Sequence, residues 1–174
     1  MTNPAPTHPA GQVDCRIPTP ADAAGVRALV EACPPLDVNS TYAYLLLCSH
    51  FAQTCVLAEI DGEPAGFLSA YIKPTDPSTL FVWQVAVSPQ ARGRGVGSRM
   101  LDEAFARDAS HGARYVEATI SPGNAASWAL FKTFAQKRGA ACTSADQFRP
   151  EDFGPEAHEE ERLLRIGPIQ RASS

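Results

Sequence analysis

The residues best suited to chemistry form one glycine-rich segment, Arg92-Gly93-Arg94-Gly95-Val96-Gly97, between an apolar stretch and an amphipathic one. Alternate glycines let the backbone bend and approach a ligand closely. Amides at the start of a helix, together with the helix dipole, favour a bound anion, and the two arginines add positive charge. The segment predicts a loop that holds a pyrophosphate. From the motif alone, a flexible loop with solvated arginines is an equally good interpretation.

Two common phosphate-binding loops are excluded by the residues that follow. A P-loop requires Gly-Lys-Ser/Thr, whereas Gly97-Ser98-Arg99 stands here. The dinucleotide fingerprint G-x-G-x-x-G requires a glycine where this chain has Ser98. The expected anion loop is therefore of another kind.

The pattern of apolar residues, caps and turns around this loop predicts the elements that position it, in the order β-α-α-β-β-β-α-β-α-β-β. The predicted strands are residues 12–17, 54–60, 65–72, 80–87, 114–120 and two near 141–145 and 160–166. Four helices are predicted. The first follows a cap at Thr19, and the second follows a cap at Asn39 or Ser40 and runs to about residue 52. The third and fourth cover 96–105 and 124–138. The strand at 80–87 reads as buried on both faces. Strands and helices alternate within one domain, which indicates an α/β or α+β class with a mixed sheet.

Composition limits the class of protein. The chain has 174 residues, 44% of them hydrophobic, which suits a single domain over 12–168 with a disordered leader at 1–11 and a flexible tail at 169–174. A net charge of -4 disfavours a nucleic-acid groove. Apolar runs such as 44–48 are too short for a bilayer, and the start lacks a signal-peptide pattern. We therefore expect a cytoplasmic protein without nucleic-acid or membrane partners.

Five cysteines, an odd number without a C-x-x-C pair, are expected to be reduced thiols in the core. The four histidines do not supply the close ligand pairs that a zinc site needs, so no metal is expected.

The context of the glycine loop resolves its interpretation. The strand residues Val85-Ala86-Val87, then Ser88-Pro89, the loop and the amphipathic helix together resemble the acetyl-CoA motif of the GCN5-related N-acetyltransferase superfamily. Its pattern Arg/Gln-x-x-Gly-x-Gly/Ala is matched by Arg92, Gly95 and Gly97. Residues 122–127 (PGNAAS) resemble the second motif of that family, in which an Asn opens a helix beside the cofactor. The resemblance implies a central, mostly antiparallel mixed sheet flanked by helices.

The resemblance also implies how acetyl-CoA is held. Amides of residues 93–98 bind the pyrophosphate, and the backbone around Val85 and Val87 pairs with the pantetheine arm and polarises the thioester carbonyl. The implied cofactor contacts are Val85, Ala86, Val87, Arg92, Gly93, Arg94, Gly95, Val96, Gly97, Ser98 and Asn124. Many members carry a tyrosine acid in the last helix, where this chain has Phe131. A bound water or another side chain would then protonate the thiolate.

A more specific resemblance covers residues 14–168. The stretches LDVNSTYAYLLLCSHF, FVWQVAVSPQARGRGVG and EATISPGNAAS are similar to the diaminobutyrate acetyltransferases of ectoine biosynthesis. The implied reaction acetylates the side-chain amine of L-2,4-diaminobutyrate and gives N4-acetyl-L-2,4-diaminobutyrate. The family also suggests a homodimer.

Five side chains are candidates for holding such a substrate. Asp37 lies in a loop and suits an ammonium group, or is a solvated acid. Tyr42 lies in the first turn after that loop, where its hydroxyl could reach the same ligand. The alternative is a half-buried helix aromatic. Trp83 either faces a cation or packs in the core. His158 lies in the acidic segment 150–161, most of whose acids are expected to be solvated, and its imidazole could bind the substrate carboxylate or an amine.

Glu117 is the fifth candidate and the best candidate for a general base. It lies between apolar strand neighbours, where an unpaired carboxylate is costly, and it could accept the proton of the amine directly or through water. The alternative is a charge on an exposed strand face. Two other functions stay open: a protein or peptide N-acetyltransferase, and a non-catalytic CoA-binding module.

Overall fold

The computed structural model describes residues 11–155 and 158–170. Most of the predicted leader (1–11) and of the predicted tail (169–174) lies outside the described residues. The strands are β1 Val13–Arg16, β2 Val56–Ile60, β3 Glu63–Lys73, β4 Asp76–Val87, β5 Tyr115–Ile120, β6 Cys142–Phe148 and β7 Glu161–Ile166. The α-helices are α1 Ala23–Glu31, α2 Thr41–Leu47, α3 Val96–Ala106 and α4 Ala125–Lys137. The predicted order of elements and the predicted class are confirmed.

The strands that the structure describes form one sheet in the order β1-β2-β3-β4-β5-β7-β6. Short hairpins make most neighbours antiparallel, and the tight turn between β2 and β3 places Asp61 and Gly62 at positive φ, 53° and 82°. The β4–β5 pair is parallel, because the chain crosses over through α3 between these strands. The crossover places the predicted glycine loop at the carboxyl end of β4.

Helices cover the two faces of the sheet. Helices α3 and α4 pack on one face with alternate β5 residues, Val116, Ala118 and Ile120. Helices α1 and α2 pack on the other face, over β2, β3 and the end of β4. Gly66 lets α3 approach β3 closely, since a Cβ there would lie 2.8 Å from side-chain atoms of Val96 and Met100. In the described residues no helix is both long and apolar enough to cross a bilayer.

Some predicted details are wrong. Helix α2 ends at Leu47 instead of near residue 52, and the Ser49 hydroxyl donates to the Leu45 carbonyl at 2.6 Å, a local bond that competes with helix continuation. Strand β4 begins at Asp76, and Trp83 within it is 46% exposed, so the strand is not buried on both faces.

The cysteine interpretation is correct for three thiols, holds in part for Cys15, which is partly buried against the core, and is wrong for one. Cys33, Cys48 and Cys55 are buried, and burial raises the pKa of the Cys55 thiol to about 12. Cys142 is exposed, because it lies on the edge strand β6, every residue of which is exposed.

Candidate active site

Strand β4 has an open edge along its carboxyl half. Its pairing with β5 consists of Thr79–Tyr115, Leu80–Val116 and Phe81–Glu117 and then stops. From residue 82 to 87, the paired neighbour of β4 among the described strands is β3 alone. The Val87 carbonyl there accepts from the Cys33 thiol at 3.2 Å. The other backbone groups that would face β5 are available to another extended chain.

The register shows which residues direct their backbone groups to this edge. The amides of Gln84 and Ser88 both point toward β3, where they donate to Ser69 Oγ and to the Ala65 carbonyl. Backbone groups alternate in direction along a strand. Val85 and Val87 therefore turn their N–H and C=O groups to the open edge, where the resemblance places the pantetheine arm.

A β-bulge at Trp83 accompanies the change in pairing. Ser69 of β3 lies opposite Gln84 and Ala70 lies opposite Val82, so Trp83 is the extra residue on β4. A bulge bends its strand and re-aims the neighbouring side chains. Trp83 itself is left half exposed beside the opening.

The glycine loop leads from this open edge into α3. Gly93 and Gly95 adopt φ of 75° and 74°, in the left-handed region that favours glycine, and Gly95 is the N-cap of α3. No atom lies within 4 Å of where a Cβ would stand at either glycine, so the backbone there is open to a ligand. The loop thus fits a bound pyrophosphate.

The start of α3 supplies the anion-binding groups. The first amides of a helix, here from Val96, have no intrahelical acceptor and carry the positive end of the dipole. Arg92 is exposed next to them. Arg94 donates to the Gly11 carbonyl at 2.6 Å and thus also ties down the start of the described chain. Ser98 Oγ accepts from Lys137 at 2.9 Å, which adds a cation near the helix start.

The second motif forms the start of α4. Asn124 caps this helix, and its side-chain oxygen accepts from the Ser127 amide at 3.1 Å. Gly97 of α3 approaches Leu130 of α4, with 3.6 Å between that side chain and the position of a Cβ. Phe131, which replaces the family tyrosine, is only 2% exposed and packs in the core. It supplies no acid.

On the opposite face of the sheet, the structure brings two predicted residues together. His158 Nε2 lies 3.6 Å from Asp37 Oδ2, although the chain separates them by most of its length. His158 Nδ1 lies 2.6 Å from the Glu159 carbonyl. This hydrogen bond, with the charges of Asp37 and Glu161, raises the pKa of the imidazole above its ordinary value, against a smaller effect of burial.

Aromatic rings hold the imidazole in place. The His158 ring stacks on Phe153 with 3.8 Å between centroids and 12° between planes. Phe148 of β6 meets Phe153 edge-on at 6.4 Å. A residue on the sheet edge therefore supports the loop that carries His158.

The other predicted acceptor residues are less constrained. Tyr42 is 68% exposed at the start of α2 and Trp83 is 46% exposed. Tyr42 is thus more exposed than the half-buried helix aromatic of the alternative interpretation, and Trp83 is not the core residue that its alternative required. Asp37 is also exposed, apart from its pairing with His158.

Glu117 is buried in a cluster of charges. It is 2% exposed and lies at the last β4–β5 pair, where the two strands part. Lys73 Nζ lies 2.7 Å from one carboxylate oxygen, and Arg165 binds the other. The alternative interpretation of Glu117, a charge on an exposed strand face, is wrong. The carboxylate already accepts from two cations, so taking a proton requires rearrangement of one ion pair.

Sequence reasoning missed two buried polar residues next to the site. Gln84 is 6% exposed, and its amide group donates to the Asp37 carbonyl at 2.7 Å. The Tyr44 hydroxyl contacts Gln84 and the Asn39 amide. The sequence carried one signal for Gln84, a single polar residue within an apolar strand.

Together the two faces define a transferase. An open strand edge and a helix start on one side fit an extended, phosphorylated acyl donor, and acidic and aromatic side chains on the other side fit a cationic acceptor. Residues 24–135 match the model of the "Acetyltransferase (GNAT) family". The chain belongs to this family.

Relatives of known activity are similar over nearly the whole chain. An L-2,4-diaminobutyric acid acetyltransferase from Halomonas elongata is 43% identical over 164 residues, which are 94% of this chain and 85% of the relative. The enzyme of the same name from Bordetella parapertussis is 48% identical over 155 residues, 88% and 83% of the two chains. The resemblance drawn from the sequence is confirmed.

A solved structure agrees with these relatives. It is the diaminobutyrate acetyltransferase EctA from Paenibacillus lautus, in complex with its substrate L-2,4-diaminobutyric acid and coenzyme A. It is 38% identical, has a TM-score of 0.90, and the match covers 95% of this chain and 100% of that one.

Proposed function

We propose that the protein transfers the acetyl group of acetyl-CoA to the side-chain amine of L-2,4-diaminobutyrate, the reaction that the resemblance places in ectoine biosynthesis. The product is N4-acetyl-L-2,4-diaminobutyrate. The observation that carries the proposal is the open edge of β4 at Val85 and Val87. The glycine loop follows this edge along the chain, and the Asp37 loop contacts β4 through Gln84. Donor and acceptor meet at this strand.

The backbone holds the donor. Acetyl-CoA, when bound, supplies an activated thioester. Amides of 93–98 bind its pyrophosphate and the open edge of β4 pairs with its amide arm. An N–H group at that edge also stabilises the negative charge that develops on the carbonyl oxygen. The residues named for these contacts in the sequence analysis stay proposals, and Asn124 contributes mainly by starting α4.

Side chains hold the acceptor. We assign the α-ammonium to Asp37, with Tyr42 beside it, and the carboxylate to protonated His158. Trp83 lines the path of the side-chain amine towards the thioester. The Asp37–His158 contact of 3.6 Å supports the assignment, because it places an anion and a cation side by side for the two charged groups of an amino acid.

Glu117 remains our candidate for the general base. Its place where β4 and β5 part brings it to the base of the opening. Because Lys73 and Arg165 hold both its oxygens, one of these ion pairs must rearrange before Glu117 accepts the proton, whether directly from the amine or through a water. Reaction by direct attack then needs no acyl-enzyme.

Four further expectations stay predictions. A homodimer has a candidate surface in β6, an edge strand exposed along all seven residues. The other three are a cytoplasmic location, a single domain over 12–168 and the absence of a metal requirement. Light scattering of the purified chain checks the dimer.

The proposed function is tested by thiol release from acetyl-CoA with a panel of amines. We expect L-2,4-diaminobutyrate to be the preferred acceptor. Preference for peptide amines would replace it with a peptide N-acetyltransferase. Tight CoA binding without turnover of any amine would make the protein a binding module.

A further inference from the structure

We propose that Gln84 and Tyr44 act as a ruler: they fix the distance between the loop 37–40, here called the acceptor loop, and the strand that presents the thioester. In this way they determine which chain length of diamino acid reacts. The proposal rests on the proposed function, since it takes Asp37 as an anchor of the acceptor. Both are positioning residues, which act through Asp37.

Three hydrogen bonds, one buried and two partly buried, connect the acceptor loop to β4 through Gln84 and Tyr44. Gln84 Nε2 donates to the Asp37 carbonyl at 2.7 Å, and Gln84 Oε1 accepts from the Tyr44 hydroxyl at 3.4 Å. The same hydroxyl accepts from the Asn39 amide at 3.3 Å. Tyr44 is fully buried and Gln84 is 6% exposed, so the two side chains that carry the bonds are shielded from solvent.

The position of Gln84 on β4 links this clamp to the donor. The bulge at Trp83 comes directly before Gln84, and Val85, which faces the open edge, comes directly after it. The Gln84 amide is itself fixed by Ser69 Oγ at 3.1 Å. Three consecutive residues therefore have three roles: Trp83 contacts the acceptor, Gln84 holds the acceptor loop, and Val85 contacts the donor.

Such a clamp matters because the acceptor is short. With its α-carbon end anchored near Asp37 and the thioester fixed at β4, one methylene decides whether the amine meets the carbonyl. A misplacement of about 1 Å can cost about 10²-fold in rate. A loop fixed by backbone hydrogen bonds holds that distance, whereas the exposed Asp37 side chain alone does not.

The test compares two clamp variants with the wild type. Tyr44→Phe keeps the ring and removes two of the three bonds, and Gln84→Met keeps the side-chain length and removes the bonds of the amide group. For each enzyme, kcat/KM is measured with diaminopropionate, diaminobutyrate and ornithine, together with KM for acetyl-CoA. We expect the preference for diaminobutyrate to fall about tenfold, the effect of one buried hydrogen bond, with the larger loss in Gln84→Met.

Thr54→Val is the matched control. It removes a buried hydroxyl bonded to the Ala70 carbonyl at 2.5 Å, on the same face of the sheet but away from the acceptor loop. We expect it to lower thermal stability and to leave the preference intact. The ruler is contradicted if both clamp variants keep the wild-type preference, or if their KM values for acetyl-CoA and diaminobutyrate rise equally. A wild-type enzyme that does not use diaminobutyrate refutes the proposed function itself.

Discussion

The proposed acetyl-CoA side of the site, residues 85–98, is built from backbone, whereas the proposed acceptor side is built from side chains that distant segments bring together. On the first side, a strand edge, two glycines at positive φ and a helix start present N–H groups whose directions follow from secondary structure. On the second, Asp37 and His158 meet only because the chain folds. A site built from backbone suits a donor that a whole family shares. A site built from side chains can be adapted to a different acceptor by substitution of those side chains.

The strongest test of the backbone side is Gly95→Val. A branched side chain at φ 74° strains the loop and fills the open space beside it, so we expect acetyl-CoA affinity to fall by roughly 10²-fold or more. Gly139→Val is the matched control, because Gly139 also has a positive φ, 56°, and open space but lies after α4. Calorimetry measures CoA binding. Equal affinity in folded Gly95→Val contradicts the loop assignment.

Glu117→Gln sharpens the comparison at the point where the two sides meet. If Glu117 is the base, kcat falls by roughly 10²–10⁴-fold, and the defect shrinks as pH rises because more of the amine is already deprotonated. The variant also weakens the ion pairs with Lys73 and Arg165, so unfolding is measured alongside. A defect that stays constant across pH assigns Glu117 to positioning.

Trp83→Ala and Asp37→Ala test whether the acceptor side is separable from the donor side. Each is expected to raise KM for diaminobutyrate by about 10- to 100-fold, the range for losing a contact to a charged group. KM for acetyl-CoA should change far less, since neither side chain belongs to the glycine loop. A variant that mainly raises KM for acetyl-CoA shows that the two sides are not independent.

The smallest expected effect is electrostatic. Asp37→Asn removes one of the charges that raise the pKa of His158, so the imidazole should titrate at lower pH. The stabilising Asp37–His158 interaction requires the protonated ring. It is therefore complete below the ordinary pKa of histidine and is lost as pH rises through the raised value. An NMR titration of the His158 ring measures the shift, and an unchanged pKa contradicts the pairing.

The same contrast explains what the sequence could predict. The element order and the glycine loop were predictable because caps, turns and glycine spacing are local signals. The clamp of Gln84 and Tyr44 was not, because a polar residue in an apolar strand does not reveal its partner. The pairing of Glu117 with Lys73 and Arg165 also depends on strand neighbours that are far apart in sequence. The bulge at Trp83 was not predictable either, since a bulge has no clear local pattern.

The account depends most directly on which amine is acetylated and in which substrate. The decisive measurement is the product structure by mass spectrometry and NMR, with kcat/KM for diaminopropionate, diaminobutyrate and ornithine. We expect the side-chain acetyl product, because the α-ammonium is held in an ion pair, and a clear optimum at diaminobutyrate. Mainly α-acetylated product, or rates equal within about threefold across the series, would contradict the account and indicate a promiscuous amine acetyltransferase.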